Sequence, residues 1–204
     1  MTRKTMGLRL ALYMVMVLTL GLLVSGCSDS PSAPPSGDSN WPTTLTAWIS
    51  DGSVAANEYT QSQKFGDIEI FTRLGEDEVY IAIQSKKEGY LSLGIRPEEQ
   101  MQGGDIITCV MDGSQARVYD TYSYGTFGPH PEDTAQGGTD DIMEVSGSRQ
   151  NGLTTFEFKR RLNTGDSRDK ALVAGNNPIM WAIGPGPDIS ARHSSRGYGN
   201  LVIQ

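Results

Sequence analysis

The chain has 204 residues, with 24 acidic and 17 basic ones, two histidines and two cysteines. This acidic excess argues against nucleic acid and anionic membrane surfaces as partners. No nucleophile stands beside a base and no paired carboxylates mark a cleft, so we expect a binding or redox module rather than an enzyme.

The N-terminus has the pattern of a secretory leader over residues 1–27. Three basic residues precede an apolar run over residues 10–24, and small residues stand directly before Cys27. This pattern resembles the bacterial lipobox, which implies a signal peptide that ends before a lipidated Cys27. An uncleaved membrane anchor is the alternative, although 15 apolar residues are few for a span of roughly 20. In both cases we expect an extracytoplasmic protein that contacts the membrane only through this segment. If Ser28 acts as a sorting signal, the expected location is the outer membrane or the cell surface.

Residues 28–44 are rich in Ser, Pro, Gly and Asp and predict a flexible tether. Residues 45–204 then predict one domain. Without the three basic residues of the leader, 14 basic residues face 24 acidic ones, a formal charge of about −10. Cys109 is the only cysteine after Cys27, so we expect no disulfide within the domain and a buried Cys109.

Short β-branched and aromatic runs, separated by turns that contain glycine, predict an all-β domain. The dipeptides Asp112-Gly113 and Asn151-Gly152 favour tight hairpin turns, and therefore antiparallel strands. About nine strands without helices favour an antiparallel β-sandwich, with a closed eight-stranded barrel as the competing fold. The predicted strands are 68–74, 78–85, 90–95, 105–111, 116–122, 142–148, 154–162, 179–184 and 201–203.

Nine segments share their order and spacing with one known family. They are Asp51-Gly52, Asn57-Glu58-Tyr59, residues 79–83 (VYIAI), 89–95 (GYLSLGI), 101–107 (MQGGDII), Asp120-Thr121-Tyr122, and residues 156–160 (FEFKR), 181–184 (WAIG) and 193–197 (HSSRG). Together they resemble the DOMON domain, which occurs beside dopamine β-monooxygenase and in several extracellular cytochromes. The resemblance spans about residues 45–203 and implies an immunoglobulin-like β-sandwich. Some members bind b-type haem between a methionine and a histidine, and others bind sugars or have no known ligand.

The resemblance implies that Met101 and His193 are the axial ligands of a haem iron. The family's methionine precedes a glycine and a strand, as Met101 does, and its histidine lies in a late loop, as His193 does. Thioether and imidazole together saturate the iron, and such a centre transfers single electrons to a partner protein. Because neither cysteine begins a Cys-x-x-Cys-His sequence, the haem is expected to be non-covalent.

Other residues near the expected site leave alternatives open. His130, between two prolines, is an alternative imidazole ligand, and Tyr124 and Phe127 are candidates for a pocket wall. The alternatives to iron ligation are that Met101 is a loop residue at the edge of the sandwich and that His193 is a surface residue.

Asp133, Asp140 and Asp141 are candidates for a calcium site, against the alternative of a solvated acidic turn. The alternative function is therefore a non-catalytic lipoprotein module that binds a carbohydrate or another small ligand, with or without calcium. A structural domain that presents an edge strand to a partner is the third interpretation.

Overall fold

The computed structural model describes residues 44–204. The predicted leader with Cys27 and residues 28–43 of the predicted tether lie outside the described residues. Within the part that is described, no helix has the length and hydropathy needed to cross a membrane.

Ten antiparallel strands form two five-stranded sheets, which confirms the all-β sandwich predicted from the sequence. The first sheet has the order β1-β2-β3-β8-β7 and the second the order β10-β9-β4-β5-β6. One 3-10 turn precedes β7. The strands are β1 (Gln61–Phe65), β2 (Ile68–Leu74), β3 (Glu78–Ser85), β4 (Leu91–Ile95), β5 (Asp105–Asp112), β6 (Gln115–Tyr122), β7 (Met143–Gln150), β8 (Leu153–Arg161), β9 (Gly175–Ile183) and β10 (Ser195–Ile203).

All nine predicted strands are present, and two differences have a physical cause. Strand β1 was missed because Gln61–Phe65 is mostly polar. Its Gln63 side chain reaches across to the other sheet, where its amide donates to the Val202 carbonyl at 2.9 Å and accepts from the Val202 amide at 3.1 Å. Side-chain amides thus join β1 to β10 at a corner of the sandwich.

Strand β10 begins six residues before its predicted start. Glycine weakens a strand, and Gly197 and Gly199 interrupt the pattern on which the prediction relied. Aromatic rings occupy the space above both: a Cβ at Gly197 would lie 2.7 Å from the Trp181 indole nitrogen, and one at Gly199 would lie 2.5 Å from the Phe65 ring. These rings supply the packing that the glycines lack.

The core lies between the sheets and follows the strict alternation of strand side chains. On β3, Val79, Ile81 and Ile83 face inward and are fully buried. Phe156 and Phe158 on β8 join them, and Cys109 is buried on β5 as a free thiol. The hairpin between β7 and β8 turns at Asn151-Gly152, where both residues have positive φ, as the sequence predicted.

The N-terminal segment, residues 46–60, covers the outer face of the first sheet. The Trp48 ring lies 4.9 Å from the Tyr80 ring and the Tyr59 ring 5.9 Å from the Phe71 ring, between centroids. The Glu157 carboxylate closes this layer, since it accepts the Tyr59 hydroxyl at 2.7 Å and the Gly52 amide at 2.7 Å. This sheet therefore has no open outer surface at its centre.

Candidate functional site

A cavity of about 750 Å³ lies on the outer face of the second sheet. Its floor comes from outward-facing positions of β4 and β9, where Ser92, Gly94 and Ala182 are small. Ser92 pairs with Ala182 and Gly94 with Met180 across the two strands. Small side chains in adjacent pairs leave a wide, shallow floor, and the volume is within the range of about 300–1,000 Å³ typical of ligand sites.

Three loops form the walls: residues 96–104 and 123–131 at one end of the sheet, and residues 184–194 at the opposite end. The first two are bound to each other, because the Gly103 amide donates to the Ser123 carbonyl at 2.8 Å and the Ser123 amide to the Gly104 carbonyl at 3.0 Å. Backbone hydrogen bonds thus hold these two walls at a fixed spacing.

Met101 lines the cavity from the first loop and is half-buried. Its carbonyl accepts the Gly104 amide at 3.0 Å, and its own amide donates to the Thr126 carbonyl at 3.4 Å. A Cβ at Gly104 would lie 2.9 Å from the Met101 carbonyl oxygen, so only glycine fits where the loop returns to β5. Gly103 at positive φ (68°) permits the same turn.

His193 lines the same cavity from the third loop. The Ser194 amide donates to the Ile183 carbonyl at 2.7 Å, and the Tyr90 hydroxyl donates to the Ala191 carbonyl at 2.9 Å, so hydrogen bonds fix the chain on both sides of His193. Burial, followed by the positive charge of Arg196, lowers the pKa of His193. The imidazole is therefore neutral at neutral pH, the form that binds a metal.

His130 lines the cavity from the second loop, so all three residues considered as iron ligands face one space. Burial lowers the pKa of His130 as well. A Cβ at Gly128 would lie 3.6 Å from the Met101 methyl carbon and 3.8 Å from His130 Cδ2, which places His130 beside Met101.

The other candidate residues from the sequence lie in different surroundings. Phe127 lines the cavity with 77% of its surface exposed, whereas Tyr124 lies outside the lining and packs edge-on against Tyr122 at 5.0 Å. Asp133 is fully buried, and Asp140 is exposed with its carboxylate accepting the Ile142 amide.

Sequence reasoning missed several cavity residues, among them Met180, Tyr90 and Arg196. Met180 faces the cavity because it is the outward residue beside Gly94, and a Cβ at Gly104 would lie 2.9 Å from its methyl carbon. The signal available in the sequence was the small residues at Ser92 and Gly94, two apart on one strand. Their meaning depends on which strand pairs with β4, and the sequence does not specify that pairing.

The family model described as "DOMON domain" matches residues 64–184, more than half of the chain. The chain therefore belongs to the DOMON domain family.

A curated relative from Drosophila melanogaster, MOXD1 homolog 1, is 20% identical over 159 residues, which cover 76% of this chain. The matched region is 22% of that relative's length, so the chain spans about a fifth of it.

Two solved structures are similar in fold. The cytochrome b domain of pyranose dehydrogenase from Coprinopsis cinerea superposes with a TM-score of 0.50 at 15% identity, over 70% of this chain and 80% of that one. The cytochrome domain of cellobiose dehydrogenase from Myriococcum thermophilum gives a TM-score of 0.49 at 9% identity, over 71% and 81% of the two chains.

Proposed function

We propose that this DOMON domain binds b-type haem non-covalently, with Met101 and His193 as axial ligands, and transfers single electrons. The observation that carries the proposal is that both side chains line one cavity, although 92 positions separate them in the chain. The C. cinerea relative, a cytochrome b domain by its name, supports the same assignment.

The residues around the cavity fit such a group. Apolar and small side chains form the floor, and a planar tetrapyrrole needs such a wide slot rather than a deep hole. A neutral imidazole and a thioether are available as ligands. A haem iron held by these two ligands has no position open to a substrate and exchanges electrons one at a time. The chain's own contribution is to hold both ligands on hydrogen-bonded loops and to exclude water from the floor.

The partner is proposed to be a redox protein that docks at the open side of the cavity. Phe127 and Tyr198 line the cavity with 77% and 58% of their surfaces exposed. An aromatic rim of this kind is typical of protein contact sites. The acidic character of the chain favours a partner with a basic surface.

Ligand substitution tests the assignment directly. After haemin is added to the full chain, Met101→Ala and His193→Ala should each abolish the six-coordinate low-spin spectrum, because each removes one axial ligand. The matched control is His130→Ala, from the same cavity, which should keep the spectrum. Loss of the spectrum in His130→Ala and its retention in His193→Ala would reassign the imidazole ligand to His130.

The alternative is a colourless module whose cavity binds a carbohydrate or another small molecule. Its exposed aromatic side chains offer flat apolar faces, which is the observation that favours it. A chain that fails to take up haemin but gains thermal stability with a glycan would support this alternative.

For the location, we propose an extracytoplasmic protein anchored by lipid at Cys27. The support is the basic, apolar and small-residue pattern of residues 1–27. Mass spectrometry of the protein from a bacterial membrane fraction should find a lipidated N-terminal Cys27, and Cys27→Ser should release the chain from that fraction. An unmodified chain that starts at Met1 and stays in the membrane would contradict lipidation.

A further inference from the structure

A second group of side chains lies between the sheets, on the opposite side of β5 from the cavity. Asp105 begins β5 and faces inward, whereas its neighbour Ile106 faces the cavity. We call the group the inter-sheet acid cluster. Its members are Asp105, Asp120 on β6, Asp133 in the 3-10 turn, and Asp169 after β8.

The cluster holds more negative charge than the protein neutralises. Arg160 is its fully buried cation, with Nη1 2.7 Å from the Asp105 carboxylate and Nη2 3.1 Å from the Asp169 carboxylate. Nearby cations are engaged elsewhere: the Lys170 ammonium lies 3.7 Å from Glu98, and the Arg168 guanidinium donates to the Gln136 carbonyl. Four carboxylates against one guanidinium is a costly arrangement in a buried site unless a further cation or protons compensate.

Three of the carboxylates are close enough to share one cation. One carboxylate oxygen each from Asp105, Asp120 and Asp169 lie within 4.8 Å of one another. Two oxygens on opposite sides of one calcium ion lie about 4.6–5.2 Å apart, because each is about 2.3–2.6 Å from the ion. Magnesium usually keeps several of its waters and takes only one or two carboxylates, so a buried group of carboxylates suits calcium better.

Unpartnered oxygens provide a second, independent observation. Within residues 44–204, both carboxylate oxygens of Asp133 lack a hydrogen-bond partner, although the residue is fully buried. Oδ1 of Asp105 and Oδ1 of Asp120 lack partners as well. Thr121 on β6 and Glu132 form an antiparallel bridge, which places Asp133 opposite Asp120.

We propose that the inter-sheet acid cluster binds one calcium ion, which links β5 and β6 to the 3-10 turn and to the segment after β8. All donors are oxygens, the ligand type that calcium prefers. Of the calcium candidates identified in the sequence, the cluster contains only Asp133. Asp141 contributes indirectly, because its amide donates to Asp120 Oδ2 at 3.0 Å and orients that carboxylate.

Thermal unfolding of the full chain, freed of metal with EDTA and dialysed, tests the proposal. Calcium chloride should raise the Tm by about 5 °C or more at saturation. Magnesium chloride at the same ionic strength should raise it far less. Isothermal titration calorimetry should give one site per chain.

Variants separate the cluster from other acidic groups. Asp120→Asn and Asp169→Asn should each remove most of the calcium-dependent rise in Tm, whatever their effect on the metal-free Tm. The matched control is Asp112→Asn at the other end of the same hairpin, where Asp112 pairs with Arg117 at the surface, and it should keep the full rise.

An unchanged Tm and no heat of binding at about 10 mM calcium would overturn the proposal, as would an equal response to magnesium or an equal loss in Asp112→Asn. If Asp120→Asn and Asp169→Asn fail to fold, the calorimetric stoichiometry of the unmodified chain decides. These experiments measure metal binding in the absence of haem, so their outcome is independent of whether the cavity binds haem.

Discussion

The outer faces of the two sheets differ, although both belong to antiparallel sheets of five strands. On the first sheet, Tyr80 and Phe71 point outward and the segment with Trp48 and Tyr59 packs over them. On the second sheet, the outward residues of β4 are Ser92 and Gly94, and loops from both ends of the sheet surround a cavity of about 750 Å³. Side-chain size at a few outward positions therefore decides whether a sheet is closed by its own chain or offers a binding surface.

The largest contrast should come from placing the same side chain on both faces. Ala82 on the first sheet is fully buried beneath the N-terminal segment, whereas Ala182 lies in the cavity floor. Ala82→Phe should lower the free energy of unfolding by about 3 kcal/mol, because overpacking forces neighbours apart. Ala182→Phe should leave stability nearly unchanged and weaken haemin binding by about 100-fold or more, because it fills the cavity.

Urea unfolding and haemin titration of both variants provide the measurements. Equal destabilisation by the two substitutions would show that the second face is as closed as the first.

Removing the Glu157 carboxylate should loosen the cover of the first sheet. Glu157 accepts the amides of Asp51, Gly52 and Ser53 and the Tyr59 hydroxyl. Glu157→Ala should therefore cost about 3 kcal/mol of unfolding free energy, since several buried donors lose their acceptor. Amide hydrogen exchange should become faster in residues 50–60, with the cavity loops unaffected. Uniform acceleration in both regions would contradict separate closure of the two faces.

The unfolding free energy that Glu157 contributes should also depend on pH, with a smaller effect and a direction set by its pKa. Burial is the main cause that raises the pKa of Glu157 above its usual 4.5. The folded state then holds this proton more tightly than the unfolded state, so the stability from Glu157 is complete below about pH 4.5 and falls as pH rises through the folded-state pKa. The difference in unfolding free energy between the unmodified chain and Glu157→Gln should accordingly shrink from pH 4 to pH 7. A difference that grows over that range would give the pKa shift the opposite sign.

The smallest effect is expected at the cavity rim. Phe127 is 77% exposed, so Phe127→Ser should change the free energy of unfolding by less than about 0.5 kcal/mol. It should still accelerate haem loss to apomyoglobin several-fold, because the side chain covers part of the opening. The exposed Val173→Ser, outside the cavity lining, is the matched control and should leave haem loss unchanged.

The sequence predicted strands with strong apolar alternation to within a residue: β2 and β3 have the predicted bounds. It failed where packing against other strands replaces local propensity. The glycines at 197 and 199 remain in β10 because Trp181 and Phe65 pack on them, and the polar β1 is held through Gln63. Those partners are distant in the chain, so a local pattern does not reveal them.

The site, too, could be predicted only in part from the sequence. Resemblance to a family predicted Met101 and His193 as iron ligands, and the fold brings both residues to one cavity. The floor and Met180 depend on the pairing of β4 with β9, which joins segments about 90 residues apart. The inter-sheet acid cluster likewise requires four separate segments to meet.

The most direct test of the central claim is the visible absorption spectrum of the full chain with haem, before and after reduction with dithionite. Ligation by Met101 and His193 predicts sharp, resolved α and β bands of a six-coordinate low-spin haem in the reduced form. A chain that remains colourless after haemin is added, or one that gives the broad bands of a five-coordinate high-spin haem, would contradict the claim.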